Sequence, residues 1–545
     1  MNRFALIAAW ILCACSASPT KGSVDVDMNG PPATPPSTSH LIDDVVDPRR
    51  PPELDILFMV DNSPSMSPKQ RALATHIPKF IQIIDAAGAN YHIGITTSDI
   101  GTEVMAGRPW GGSLSGACES YKGDDGLLQN IACKARTNGS SDARNACTSL
   151  CPDDKFTPKD GRRFISKSDG ITNVPQDLQV DPMSGKTVDR GPLNAFRCMA
   201  LVGDGGCGIE GQLEGAKRAL DGHLDENAGF LRKDSMLAVI YITDEDDCSV
   251  QLSRRSENNP NTVDCPTGDQ NASFSCYNPD YRCIATDIQC DQPMNTLGPK
   301  TNCKERMGTR LESVDKYLKF FSDLRKNPTK LFIGGIWAPS VNDMAGSKLV
   351  VSSGGGGTTT PSLNRAPGTD AACSYSKDPN IFGQAQLRLS LFARQFKDQA
   401  GNPSSLETSI CDIDDYGAAL EKMGRGIVTK LVPNCLGGSP LLHDGIPACV
   451  VGYVDENVPH EEPDVRFPVC GHSCCDEWAR SAQPTTKDPN IISACMDELN
   501  EACYCAVPSQ QPGVCSGAAV AGVWRRKNAP PPAGKVVNFK CAVSN

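Results

Sequence analysis

The sequence predicts an α/β protein: a doubly wound, mostly parallel sheet carrying disulfide-rich inserts, followed by a small cysteine-rich domain. Two observations carry that expectation. Short apolar runs suited to strands buried on both faces alternate with stretches whose apolar residues recur at helical spacing. The cysteines avoid those runs and collect in the intervals between them. Strands alternating with helices require crossover connections, and hence parallel strands with helices on both faces.

Leu54–Val60 (LDILFMV) reads as the first buried strand. Pro68–Ala87 follows as a helix, with Leu73, Ile77, Phe80, Ile81 and Ile84 along one face. Tyr91–Ser98 reads as a strand, Glu210–Leu220 as a helix, and Met236–Thr243 (MLAVIYIT) as the strongest buried strand of the chain. Met307–Arg325 is an amphipathic helix, Leu331–Trp337 a strand, and Gly383–Phe396 and Tyr416–Leu431 are helices. The α/β domain therefore spans residues 54–432, with inserts at about 101–207, 248–305 and 338–382. Residues 433–545 form the cysteine-rich C-terminal domain, with one helix around Asn490–Ala502 and little strand periodicity.

The chain has 545 residues, with 53 Lys+Arg against 64 Asp+Glu and a formal net charge of −11. That length calls for more than one domain. The acidic balance excludes a nucleic-acid partner, which would require a basic face. The 26 cysteines point to an exported, oxidised chain. With Cys13 and Cys15 set aside, they fall into blocks of four, two, six, two and ten, so each insert is expected to close its own disulfides. The pairing itself stays open.

Arg3 and the apolar run Phe4–Ala14 have the form of a signal peptide, residues 1–14. Leu12-Cys13-Ala14-Cys15 resembles the bacterial lipobox, which implies lipidation at Cys15 and attachment to a membrane through that anchor. Ser16 rather than Asp after that cysteine implies, by the same analogy, the outer membrane. Residues 15–53 are proline-rich, with eight prolines between Ser16 and Glu53, and read as a disordered tether.

Chemistry concentrates at Asp61-Asn62-Ser63-Pro64-Ser65, a D-x-S-x-S at the tip of the first strand and the start of a helix. One carboxylate and two hydroxyls at the C-terminal edge of a parallel sheet suit a hard divalent cation. Asp244 directly follows the strongest strand and begins an acidic run through Asp247; so many carboxylates beside Asp61 would be costly without a cation. Asp99, after the Tyr91–Ser98 strand, either supports the site or caps a turn.

Leu54–Met66 resembles the metal-ion-dependent adhesion site of the von Willebrand factor type A family, and the core up to about Leu431 is similar to that fold. The whole chain resembles the cysteine-rich lipoproteins of this family in myxobacteria. The resemblance implies one divalent cation, Mg²⁺ first with Ca²⁺ or Mn²⁺ as alternatives, held by Asp61, Ser63, Ser65 and Asp244. It further implies a protein partner whose carboxylate completes the cation's shell, and no bond made or broken. Where the family has a Thr on a third loop, this chain offers Glu210, either a ligand that favours Ca²⁺ or a carboxylate at a helix start.

The expected function is thus non-enzymatic, metal-dependent protein recognition or adhesion at the cell envelope. Two rival readings are a metal-dependent hydrolase using the Asp244 loop, and a structural envelope protein whose cation only orders loops. No G-x-S-x-G, H-E-x-x-H or Walker-type loop occurs. His472, Cys474 and Cys475 look like part of a zinc site, but disulfides account better for cysteines in an exported chain.

Overall fold

The computed structural model describes residues 39–46, 52–101, 123–130, 149–151, 157–180, 187–206, 210–251, 287–294, 296–306, 311–327, 330–338, 349–352, 368–369, 371–397 and 405–431. In the C-terminal part it describes 439–443, 446–455, 459, 462–463, 465–471, 475–476, 502–508, 519–525 and 535–544. The signal peptide and Cys15 lie outside these residues, and residues 38–545 form one compact unit.

Part of the stretch assigned to a tether is ordered. β1 (Ser39–Val46) pairs antiparallel along its whole length with Val537–Ser544 near the end of the chain. The prolines of the tether stop at Pro36 and resume at Pro48, so every residue of β1 can donate to a ladder.

The central sheet has seven strands: β2 (Glu53–Val60), β3 (Asn90–Thr97), β4 (Ile165–Ser168), β5 (Ile171–Thr172), β6 (Met236–Ile242), β7 (Leu331–Trp337) and β8 (Leu406–Ser409). Their order is β8-β7-β6-β2-β3-β4-β5. The first five in that order are mutually parallel; β4 and β5 are antiparallel additions at one edge. Successive residues of β2 and β6 enter opposite cores. Leu54, Ile56, Phe58 and Val60 join Met236, Ala238, Ile240 and Ile242 on one face. Leu57 and Met59 join Leu237, Val239 and Tyr241 on the other. That is why these runs are nearly all apolar rather than alternating, the buried Asp55 of β2 being paired with Arg232.

Helices cover both faces. α1 (Ser67–Ala86) packs through Leu73, Ile77, Phe80 and Ile84 against the first face, together with α6 (Tyr416–Lys430). The second face is covered by α3 (Gln212–Leu220), α4 (Val314–Leu324) and α5 (Leu387–Gln395). Two elements lack a strong sequence signal. α2 (Gly191–Met199) falls within an expected insert yet belongs to the core, where Phe196 meets Phe58 edge-on at 4.7 Å. β8 is a short, half-buried edge strand with a single apolar residue, Leu406, to betray it.

α1 contains Pro78 in its interior, which removes the donor to the Ala74 carbonyl one turn earlier. Arg197 of α2 supplies the missing partner, its Nε donating to that carbonyl at 3.2 Å. α4 starts at Val314 rather than Met307 because Ser313 caps it, accepting from Asp315 N at 3.2 Å; residues 307–310 lie outside the described ones. α5 likewise starts late, since Asp378–Gly383 is a strand, paired with Cys373–Tyr375 in a hairpin.

The C-terminal segment contains strands although its sequence shows little strand periodicity. Cys449–Asp455 and Lys535–Ser544 pair antiparallel, as do Ala502–Pro508 and Ala519–Arg525. Val451, Phe467, Tyr504, Val537 and Phe539 fill a core of their own. The helix expected at Asn490–Ala502 falls outside the described residues except for Ala502, which opens a strand.

Among the described residues, disulfides join Cys151–Cys198, Cys290–Cys303, Cys373–Cys411, Cys449–Cys541, Cys470–Cys503 and Cys475–Cys505. This is the chemistry of an oxidising compartment. Five of the six close within the sequence blocks. Cys151–Cys198 joins the first two cysteine blocks, both within the expected insert 101–207, and fastens that stretch to α2 of the core. No described helix is long and apolar enough to cross a membrane.

Candidate metal centre

β3, β2 and β6 end side by side. The ladder runs on past them, Asp61 N donating to the Ile242 carbonyl at 2.9 Å and Thr243 N to the Ile336 carbonyl at 3.2 Å. Ser98, Asp61, Thr243 and Asp244 therefore share the C-terminal edge of the sheet, the edge at which open α/β sheets bind ligands.

Asp61 is wholly buried. Its Oδ1 accepts from the Ser63 backbone N–H at 2.8 Å and the Ser98 hydroxyl at 3.2 Å, and its Oδ2 accepts from the Thr243 hydroxyl at 2.6 Å. Burial, and next the charge of Asp244, push the Asp61 carboxyl up to about 6, against the lowering effect of the Thr243 and Ser63 hydrogen bonds. Ser63 Oγ lies 3.3 Å from Ser65 Oγ, and the Ser65 hydroxyl donates to Asp244 Oδ1 at 3.0 Å. Asp61, Ser63, Ser65 and Asp244 thus form one connected cluster.

Glu210 is placed differently. It sits just before α3, where its backbone bridges Asp99 and its carbonyl accepts from Cys248 N at 2.8 Å. The hydroxyls that meet Asp61 from neighbouring loops belong instead to Thr243 and Ser98. Asp99 Oδ1 accepts from Gly101 N at 2.9 Å, so its carboxylate closes a turn.

The three aspartates of the acidic run are buried, not solvated, and have separate tasks. Asp246 accepts from the backbone N–H groups of Leu387 and Arg388 at 3.0 Å and of Leu389 at 3.3 Å, closing the N-terminus of α5. Asp247 accepts from Leu213 N at 2.8 Å at the start of α3, and from the buried Arg388 Nε at 3.2 Å. Only Asp244 of the three Asp side chains turns toward Ser65.

The residue that sequence reasoning missed is Lys69. It is buried in the first turn of α1, its ammonium bonded to Asp244 Oδ2 and 3.4 Å from the Ser65 carbonyl. The ring of Phe382 lies 5.9 Å away. Its position four residues beyond Ser65, in the first turn of α1, was the available signal. Gln70 beside it fastens two loops: its Nε2 donates to the carbonyls of Asp61 and Gly203 at 2.8 and 2.7 Å, and Gly203 N returns a bond to its Oε1 at 3.1 Å. Gly206 gives the Asn62 side chain its room, because a Cβ there would lie 2.3 Å from Asn62 Oδ1 and displace it.

No group of three or more His, Cys, Asp or Glu side chains converges for a metal among the described residues. The cluster is instead two carboxylates with two hydroxyls. Four hard oxygens in a closed, low-dielectric setting fit a divalent cation in kind, while the charge of Asp244 is already half of an ion pair.

No family model and no curated protein matches the chain. Among solved structures it is similar to the pilus adhesin SpaC of Lactobacillus rhamnosus GG in its open conformation, at 10% identity and a TM-score of 0.28, over 95% of this chain and 43% of that one. It is also similar to the pilus adhesin RrgA of Streptococcus pneumoniae, at 11% identity and a TM-score of 0.25, over 92% and 57%. The chain spans under two thirds of the length of either adhesin. Superpositions at this level do not amount to a shared overall fold.

Proposed function

We propose that this chain is a divalent-cation-dependent protein-recognition module of the von Willebrand factor type A kind, displayed at the cell envelope. The carrying observation is the contact of the D-x-S-x-S segment with Asp244 across the C-terminal edge of a parallel sheet, Ser65 Oγ to Asp244 Oδ1 at 3.0 Å. Asp61, Ser63, Ser65 and Asp244 would hold the cation, and the cation would supply an attractive point for a carboxylate on a protein partner. Mg²⁺ is the first choice, since two hydroxyls and few carboxylates suit a small hard ion that keeps waters. We leave Glu210 outside this set, because no group of three acidic side chains converges among the described residues, and Ca²⁺ is favoured less for that reason.

The chain's own residues do the rest. Thr243 and Ser98 orient Asp61, and Gln70 locks the loop at Gly203 beside the motif. Binding rather than hydrolysis is favoured because Asp246 and Asp247, which a second metal would need, are committed to helix N-termini. Lipidation at Cys15, with the proline-rich stretch after it as a spacer, would hold the module at the outer membrane. The disulfides support a site of action outside the reducing cytosol.

The test is a calorimetric titration of Mg²⁺, Mn²⁺ and Ca²⁺ into the oxidised protein beside Asp61→Ala. Saturable binding lost in the variant is the expected result. No binding at millimolar cation defeats the proposal.

A further inference from the structure

Resting on the cation-binding reading, we infer that Lys69 is the resident counter-cation of the centre: its ammonium carries part of the charge a divalent ion would supply, and a divalent ion binds against it. Two carboxylates, Asp61 and Asp244, are withdrawn from water within one connected cluster. Left alone, such a pair is unfavourable through both desolvation and mutual repulsion. Lys69 relieves it. Asp244 is gripped at both oxygens, Oδ1 by the Ser65 hydroxyl and Oδ2 by the ammonium.

The ammonium is not a passing surface charge. The Lys69 and Asp244 side chains are only 1% and 2% exposed. The Phe382 ring stands over the ammonium on a hairpin held by the Cys373–Cys411 disulfide, and Gln384 N donates to the Asp244 carbonyl at 2.8 Å just beyond it. A divalent ion held by Ser65 and Asp244 would share a low-dielectric pocket with a fixed positive charge, which lowers its affinity. Two consequences follow. The cluster stays assembled without a divalent ion, and neutralising residue 69 tightens divalent binding while making the cluster depend on it.

The experiment is a Mn²⁺ titration followed by electron paramagnetic resonance, with thermal melts in chelator and in millimolar Mn²⁺, on the oxidised wild type, Lys69→Met and Lys69→Arg. The expected result is Mn²⁺ binding about tenfold or more tighter in Lys69→Met and close to wild type in Lys69→Arg. The wild-type melt should fall only slightly from Mn²⁺ to chelator, by what its weak binding supplies, while Lys69→Met should melt lower in chelator and gain more from Mn²⁺. Equal affinity in wild type and Lys69→Met overturns the assignment of Lys69 but leaves the cation site standing. Absence of Mn²⁺ binding in both defeats the underlying reading as well. Lys69→Gln, which keeps a donor toward Asp244, covers a methionine variant that does not fold. Failure of both neutral variants to fold even in Mn²⁺ also overturns the inference, because the ammonium would then not be exchangeable for a cation.

Discussion

The Thr243 hydroxyl and the Asp61 carboxylate, 182 residues apart in the chain, meet at 2.6 Å where β2 and β6 end side by side. Thr243 in turn accepts from Gln212 Nε2 at 3.0 Å and from Glu245 N at 3.2 Å. A single hydroxyl therefore ties the motif on one strand to the acidic loop on the next. Asp61 is buried and Thr243 is its closest donor, so the orientation of the carboxylate depends on a residue that no ligand motif would select.

Thr243→Val keeps the volume and removes that donor. It is expected to cost about 1–3 kcal/mol, because buried polar partners are left unmet on both sides. It should also push the Asp61 carboxyl further above its ordinary range, since the Thr243 hydrogen bond is among the effects that lower it. Chemical denaturation gives the first number and carbon-detected NMR titration of Asp61 the second. An unchanged midpoint would mean that the hydroxyl is not needed to hold the carboxylate.

Glu214 offers a pH test away from the centre. Burial alone would raise its carboxyl, but Lys316 and Arg218 together outweigh burial and hold it below its ordinary 4.5. Lys316 Nζ stands at 3.2 Å, Arg218 Nε at 3.0 Å and the Tyr317 hydroxyl at 2.9 Å. Between the depressed folded value and 4.5 the unfolded chain binds more protons, so stability falls as pH drops through that interval. Above 4.5 the contribution is present in full. Glu214→Gln is expected to lose about 1–3 kcal/mol at neutral pH and to flatten the acid limb of the stability curve below about pH 4.5. Denaturant midpoints across pH 3 to 7 check the sign.

How legible the molecule is in its sequence depends on whether an element's signal is local. β2, β6 and β7 are central and apolar apart from Glu53 and Asp55 of β2, so the runs at Leu54, Met236 and Leu331 locate them to within a residue. α2 and β8 are not visible in this way: Phe196 reaches the core from a stretch that reads as an insert, and LETS at β8 has the composition of a loop. β1 forms only because a partner strand lies some 500 residues later, a pairing without local trace. At the centre, Asp61, Ser63, Ser65 and Asp244 are readable because their chemistry is concentrated at strand ends. Lys69 is not, because a single lysine in an amphipathic helix ordinarily faces water.

The Cys373–Cys411 disulfide joins the hairpin that carries Phe382 to the end of β8, across a separation of 38 residues. Replacing both cysteines by serine is expected to cost about 2–4 kcal/mol. It should also shift cation affinity, although neither cysteine belongs to the cluster, because the hairpin leads through Gln384 N to the Asp244 carbonyl. Melting and calorimetric titration on the same double variant separate the two effects. Lower stability with unaltered affinity would show that the hairpin does not hold the Asp244 loop in place.

The acidic run itself supplies the sharpest discrimination, because Asp244 and Asp246 are neighbours in sequence with opposite assignments. Both are buried, and a reading from composition would treat them alike. Asp246 gives its oxygens to three backbone N–H groups of α5, with burial pushing its carboxyl up to about 6 and the Arg388 amide pulling it down. Asp246→Asn leaves one acceptor oxygen and places an amide donor against N–H groups, so it should cost about 1–3 kcal/mol while leaving cation affinity within about twofold of wild type. Asp244→Asn should do the reverse in emphasis. It removes the charge that faces Ser65 and Lys69, so saturable cation binding should disappear, and the stranded Lys69 ammonium makes some loss of stability unavoidable. Calorimetric titration with denaturation of both variants, side by side, decides it. If Asp246→Asn abolishes binding as completely as Asp244→Asn, the loop acts as one diffuse negative charge and the assignment of Asp244 as the ligand fails.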